Sequence, residues 1–180
     1  MDGEISARLM RLAGRHPALD HFWVFCARYL IVLLGIWFLW VAWSAPSVDR
    51  SSLILTVAAA IIVNETISWG IAYVHFRPRP FVENHLTPLV HIAPGMKSFP
   101  SDHAVISFTI ATVLVVYALV AGGWWFAFVA LVAAVCVSVA RVVCGVHYPS
   151  DVLVGAALGI IGTLGVMYAI DLFLVSCAAC

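Results

Sequence analysis

Along this chain the charged residues fall in short clusters, separated by long stretches in which hydrophobic residues follow one another without the alternation of a half-buried strand. Such stretches can be drawn at about 22–44, 52–74, 101–121, 123–143 and 152–175. Each is near the roughly 20 residues with which an α-helix crosses the hydrocarbon layer of a bilayer. A transmembrane barrel is excluded, because its strands would alternate apolar and polar positions in ten-residue segments, and lipid-exposed backbone must otherwise satisfy itself within helices. The pattern predicts an all-α integral membrane bundle of about five transmembrane helices. Over residues 1–20 the pattern changes: Ile5, Leu9, Met10 and Leu12 fall near one helical face, while Arg8, Arg11 and Arg15 lie largely on others. That spacing predicts an N-terminal amphipathic helix lying along the membrane surface. Asp2 and Glu4 precede the basic residues and no apolar core comes before Pro17, so the segment does not read as a cleavable leader.

Composition strengthens the membrane reading. Of 180 residues, 64% are hydrophobic and only 10% charged, with a mean hydropathy of +1.07, against about 25% charged residues in ordinary soluble domains. Five cysteines are present, of which Cys26, Cys136 and Cys144 lie in or beside the apolar stretches and read as small hydrophobes. The final CAAC lacks the polybasic stretch and the usual last residue of a prenylation signal and is assigned no role. Without repeats or low-complexity linkers, residues 1–180 read as one domain: an interfacial helix over 1–20 and a bundle over 22–175 carrying loops at 75–100 and 144–151.

Chain parity decides where the polar residues meet. The end of the second stretch, the start of the third, the end of the fourth and the start of the fifth share one membrane face. That face receives Arg77, Arg79, Lys97 and Arg141, four of the nine basic residues, and His75, His85, His91, His103 and His147, five of the seven histidines. Ionisable groups at the membrane edge are a functional hypothesis by default. Taken singly, Arg141 reads as readily as a snorkelling side chain, His75, His85 and His91 as amphipathic interface residues, and RPRP as a rigid helix stop. Taken together they point to an anion site. Pro100 and Pro149 suit first helical positions, so two helix N-termini are expected to face one pocket, adding partial positive charge to the guanidinium groups of Arg79 and Arg141. Ser101 can donate a further hydrogen bond. Asp151, four residues after His147, is placed to accept the Nδ1 proton and leave Nε2 bare and basic, which makes His147 a candidate nucleophile and His103 a candidate general acid.

The succession FRPRPF, SFPSDHA and ARVVCGVHYPSD resembles the three phosphatase motifs of the type 2 phosphatidic acid phosphatase superfamily, across most of residues 64–155. The third motif demands Arg, five residues, His, three residues, Asp, which Arg141, His147 and Asp151 obey. Within that superfamily the short chain, FRPRPFV and the aspartate of PSDH are most similar to undecaprenyl diphosphate phosphatases of the bacitracin-resistance type. The resemblance implies that His147 attacks phosphorus, Asp151 orients it and His103 protonates the leaving oxygen. It further implies that Arg79, Ser101 and Arg141 hold the phosphoryl oxygens, with no metal or other cofactor. Two departures stand out. The lysine that often lies seven residues before the first motif's arginine is Ala72 here, so Arg77 or Lys97 is expected to supply the charge, with Asp102 beside them in the phosphate-binding set. A serine that often precedes the third motif's arginine is Ala140.

The expected reaction is metal-independent dephosphorylation of undecaprenyl or another polyprenyl diphosphate through a phosphohistidine, in recycling of a cell-wall carrier lipid. Phosphatidylglycerol phosphate, phosphatidic acid and lipid A are rival substrates, and a silent lipid-headgroup binder is the rival from a different class. Expected partners are the lipid substrate and membrane lipids, with no nucleic acid and no obligate protein partner. Arg8, Arg11 and Arg15 share the catalytic face, so a positive-inside count would turn that face to the cytoplasm. The resemblance implies the opposite, a multi-pass protein of the bacterial inner membrane with its site facing the periplasm.

Overall fold

The structure is a computed structural model that describes residues 2–12, 15–93 and 95–178. All regular structure among these residues is helical: α1 (Asp2–Leu12), α2 (Pro17–Arg28), α3 (Leu30–Ser44), α4 (Ser47–Val74), α5 (Pro80–Glu83), α6 (Asp102–Ala121), α7 (Trp124–Val143) and α8 (Pro149–Ala178). Helices α4, α6, α7 and α8 are each long and apolar enough to span a membrane. The first expected span differs. It is the pair α2 and α3, bent by 50° at Tyr29, so the bundle has five spans if the pair is one broken span. No proline or glycine stands in CARYL to announce the bend, and α2 starts at Pro17, within the stretch expected to be an interfacial helix. That helix ends earlier than expected, at Leu12.

Helix α6 is the axis of the bundle, packed against α3, α4, α7 and α8. It has no single apolar stripe because it is buried on several sides, through Val105, Ile110, Val113 and Leu114 as well as Ser107 and Thr109. Its approach to α8 depends on glycine. A Cβ at Gly155 would lie 2.8 Å from the Ser101 carbonyl oxygen, and one at Gly159 would lie 2.6 Å from that of Val105. Small residues let helix backbones come this close in a membrane, where lipid gives no hydrophobic drive to helix association. The buried Asn64 of α4 donates to Thr109 Oγ1 of α6 (2.9 Å) and Thr163 Oγ1 of α8 (3.2 Å), so one amide ties three helices.

Outward faces are apolar, with Val32, Ile36 and Leu39 of α3 and Leu172, Phe173 and Leu174 of α8 exposed. At the α3–α4 and α6–α7 turns, Trp37, Trp40 and Trp125 stack edge and face, as aromatic belts do at a membrane interface. The opposite end carries the polar loops. There α1 lies across the ends of α7 and α8 and touches α5. Of its expected apolar face, Met10 is buried and Leu9 partly so, Ile5 remains exposed, and the side chain of Leu12 lies outside the described residues. Those of Arg11 and Cys180 do too.

Candidate active site

The turn after α7 builds the centre of the site. The Arg141 carbonyl accepts both Val146 N–H (3.2 Å) and His147 N–H (3.3 Å), which folds the chain back and sets His147 beside the last turn of its own helix. Gly145 allows this with φ +76°, a conformation that side chains other than glycine adopt poorly. A Cβ there would also meet the Met10 side chain of α1 at 2.7 Å. Pro149 is the first residue of α8, as expected. Pro100 is not the start of α6: the helix begins at Asp102 with Ser101 as its N-cap.

His147 is almost wholly enclosed. Its Nδ1 lies 2.7 Å from the Ser98 carbonyl oxygen, which can only accept, so Nδ1 carries the proton and Nε2 presents a lone pair. Arg79 Nη1 sits 3.4 Å from that Nε2 and donates to the Val146 carbonyl at 2.9 Å. Asp151 is therefore not the direct acceptor of the Nδ1 proton: its Oδ2 is 3.7 Å away. That oxygen accepts instead from Ser98 Oγ (2.6 Å) and Tyr148 N–H (2.8 Å), and Oδ1 accepts from Arg77 Nη1 (2.9 Å). The carboxylate holds the segment that holds the ring. Burial lowers the His147 pKa to about 4, with Arg141 and Arg79 acting in the same sense against Asp151, so the imidazole is neutral at pH 7. Burial also lowers Arg79 below its ordinary value, opposed by Asp102 and Asp151.

Arg79, Arg141, His147, His103 and Asp102 line one cavity of about 540 Å³, whose other walls include Ile31, Ile106 and Arg28. Arg141 donates Nη1 to the Ala27 carbonyl at 3.2 Å, while its buried Nε has no partner. Ser101 is fully buried with its hydroxyl unpaired, and its N–H donates to the Asp151 carbonyl at 3.1 Å.

Arg77 and Lys97 stand apart from this cavity. Arg77 is engaged by Asp151, by Asp2 of α1 (2.8 Å) and by Ser150 Oγ (2.8 Å), and its guanidinium lies 3.7 Å from the Tyr148 ring centre. Burial works against its charge, but the two carboxylates hold its pKa above the ordinary value. With both Nη groups so engaged, Arg77 ties Asp151, Ser150 and Asp2 together outside the first cavity. Lys97 shares a second cavity with Ala72, so it does enter the space near the missing lysine. Its Nζ, however, bonds Ser68 Oγ (2.9 Å), the Pro100 carbonyl (3.2 Å) and the Asp102 carboxylate. It neutralises Asp102 at the α6 start and leaves no amine directed to the first cavity. The expectation of two open helix N-termini also changes: Asp2 accepts from Ser150 N–H (3.2 Å) and Ser150 Oγ (2.5 Å), so a carboxylate already occupies the start of α8.

Ser98, Asp2, Ser68 and Arg28 were not singled out by the sequence. Ser98 acts through a backbone carbonyl, which leaves no trace in residue identity, and Asp2 is 148 positions from Ser150. Among the described residues no group of three or more His, Cys, Asp or Glu side chains is arranged to hold a metal.

The family model described as PAP2 superfamily matches residues 51–173. YbjG of Escherichia coli K12 is 33% identical over 141 residues, covering 78% of this chain and 68% of its own length. A Bacillus subtilis protein named undecaprenyl-diphosphatase BcrC is 29% identical over 162 residues, covering 89% of this chain and 80% of its own length. Among solved structures, that of Aquifex aeolicus LpxE superposes with a TM-score of 0.65 at 27% identity, covering 90% of this chain and 94% of that one.

Proposed function

The chain belongs to the PAP2 superfamily and is a multi-pass membrane phosphatase, and on that premise we propose that it removes the terminal phosphate of a polyprenyl diphosphate, undecaprenyl diphosphate being the expected substrate. The observation that carries the reading is the Nε2 lone pair of a neutral, enclosed His147, set 3.4 Å from Arg79 in a cavity that also holds Arg141 and His103 and has apolar walls. The name of the Bacillus subtilis relative supports the diphosphate substrate.

In the proposed mechanism Nε2 attacks the terminal phosphorus in line. An N–P bond forms as the bridging P–O bond breaks, and that bridging oxygen leaves with the polyprenyl monophosphate. Arg79, Arg141 and the Ser101 hydroxyl neutralise charge on the transferring oxygens, which is the larger part of catalysis in phosphoryl transfer. His103 gives a proton to the leaving oxygen, then takes one from the water that hydrolyses the phosphohistidine. As His147 gains positive character, the Ser98 carbonyl holds its Nδ1 proton and Asp151 lowers the energy of the charged ring from 3.7 Å. No metal is required by these steps. The substrate's hydrocarbon tail stays in the bilayer while its headgroup enters the polar end of the bundle.

The test is phosphate release by purified protein, with a chelator present, from polyprenyl diphosphate, phosphatidic acid and phosphatidylglycerol phosphate. It is joined to trapping of label from a terminally labelled substrate by an alkaline detergent quench. Wild-type protein should prefer the diphosphate and yield an acid-labile, base-stable phosphoprotein. His147→Ala should lose both turnover and label while keeping its thermal transition. Steady-state turnover by that variant would remove His147 from the nucleophile role, and preference for phosphatidic acid would replace the substrate.

A further inference from the structure

We propose that Arg28 forms a second anion subsite, which binds the inner phosphate of a diphosphate while the outer phosphate lies against His147. This rests on the diphosphatase reading above. Arg28 is in the last turn of α2 and lines the same cavity as Arg79, Arg141, His103 and His147. The other cations around the site are committed. Arg77 binds two carboxylates and Lys97 binds Asp102, while Arg79 and Arg141, set by the Val146, Met96 and Ala27 carbonyls, serve the outer phosphate. Arg28 makes no hydrogen bond or ion pair with any other described residue, and its side chain is exposed.

Its position is fixed relative to the reacting centre. The Arg141 guanidinium bonds the carbonyl of Ala27, the residue immediately before Arg28. Beyond Arg28 the chain bends by 50°, and Ile31, in the first turn of α3, lines the same cavity. Outside Ile31 the helix turns Val32, Leu33 and Ile36 to the bilayer. Along this elbow an anion site, a free guanidinium and a hydrocarbon surface follow in order. A polyprenyl diphosphate has the same order: outer phosphate, inner phosphate, isoprenoid. A lipid monophosphate offers no second phosphate to Arg28, so this side chain discriminates between the two classes. The bend at Tyr29 then has a consequence for chemistry, since an unbroken helix would not turn from headgroup to bilayer at this point.

The experiment uses the full chain in detergent, with methylenediphosphonate and orthophosphate as calorimetric probes, alongside KM for polyprenyl diphosphate and phosphatidic acid. Arg28→Gln should weaken methylenediphosphonate binding about tenfold, as for one lost charge-assisted contact. Orthophosphate binding should change by no more than roughly twofold. The KM ratio of diphosphate to monophosphate lipid should rise about tenfold with it, and Arg28→Lys should recover part of the loss by retaining the charge. Equal losses on both probes would make Arg28 a general steering charge, and no loss on either would make it a snorkelling side chain; either result overturns the subsite. If wild-type protein released no phosphate from the polyprenyl diphosphate, the proposed substrate would fail, while the calorimetric comparison would still decide Arg28.

Discussion

A histidine ordinarily titrates near pH 6.5, but His147 is 3% exposed and burial, with Arg141 and Arg79 nearby, takes it to about 4. The sign of the linkage follows. Unfolded chains bind this proton below about pH 6.5, whereas the folded protein resists it until about 4. The stability present above pH 6.5 is therefore lost progressively as pH falls from there towards 4. In histidine-selective ¹⁵N spectra in detergent, the imidazole signal that vanishes in His147→Gln should stay neutral through about pH 6.5. A midpoint near 6.5 for that ring would contradict both its enclosure and its readiness as a nucleophile. At this scale the sequence conveys which residue types converge and not how they pair. The i,i+4 spacing of His147 and Asp151 suggested a direct bond, yet the Ser98 carbonyl takes the proton, because that spacing sets Asp151 3.7 Å from the ring nitrogen. Lys97 illustrates the same limit. Its charge is where a missing cation would be sought, but the aspartate of PSDH claims it.

The site is assembled by helix ends, so the fit between helices controls it. Helices α6 and α8 bring Ser101 and Asp151 together through one backbone bond of 3.1 Å, at the level where Gly155 approaches the Ser101 carbonyl. One turn further along, Gly159→Ala would put a Cβ 2.6 Å from the Val105 carbonyl oxygen, a backbone atom that cannot swing aside. We expect it to cost about 1–3 kcal/mol by overpacking, read as a lower thermal midpoint in detergent, with phosphatase activity falling as Asp151 moves from Ser101. Gly165→Ala is the matched control. It has open space around its Cβ and should be neutral or slightly stabilising, since alanine favours helix by about 1 kcal/mol over glycine. Equal effects of the two substitutions would mean that close approach does not govern the α6–α8 interface. Helix α1 acts differently, by carrying Asp2 to Arg77 and Ser150. There the Ser150 and Arg77 hydrogen bonds overcome burial and hold the carboxyl below its ordinary pKa. Its amphipathic pattern was legible in the sequence; its role in bracing the start of α8 was not.

On the scale of the whole molecule, the polar loops gather at one end of the bundle and the tryptophan cluster of α3 and α7 at the other. We propose, as the family resemblance implies, that the polar end faces the periplasmic side of a bacterial inner membrane, against the positive-inside count of α1. In a background lacking Cys177 and Cys180, an impermeant thiol reagent applied to intact cells should label Thr87→Cys in the α5–α6 loop, and should reach Ser47→Cys at the start of α4 only after lysis. The reverse pattern would turn the site to the cytoplasm and favour an inner-leaflet lipid. The sequence by itself determined the membrane bundle, because apolar stretches about 20 residues long admit one satisfied backbone in lipid. Through the parity of span crossings it also determined which motifs share a face, and the spacing of Arg141, His147 and Asp151 carried the resemblance to a phosphatase family. The tertiary structure alone decided the 50° elbow that brings Arg28 to the cavity, the tying of Arg77 and Lys97 to carboxylates, and the handing of the His147 proton to a carbonyl. Those outcomes depend on which neighbour lies nearest once helices have packed, and for a charge in a crowded membrane-edge site a difference of an ångström selects its partner, which no pattern along the chain encodes.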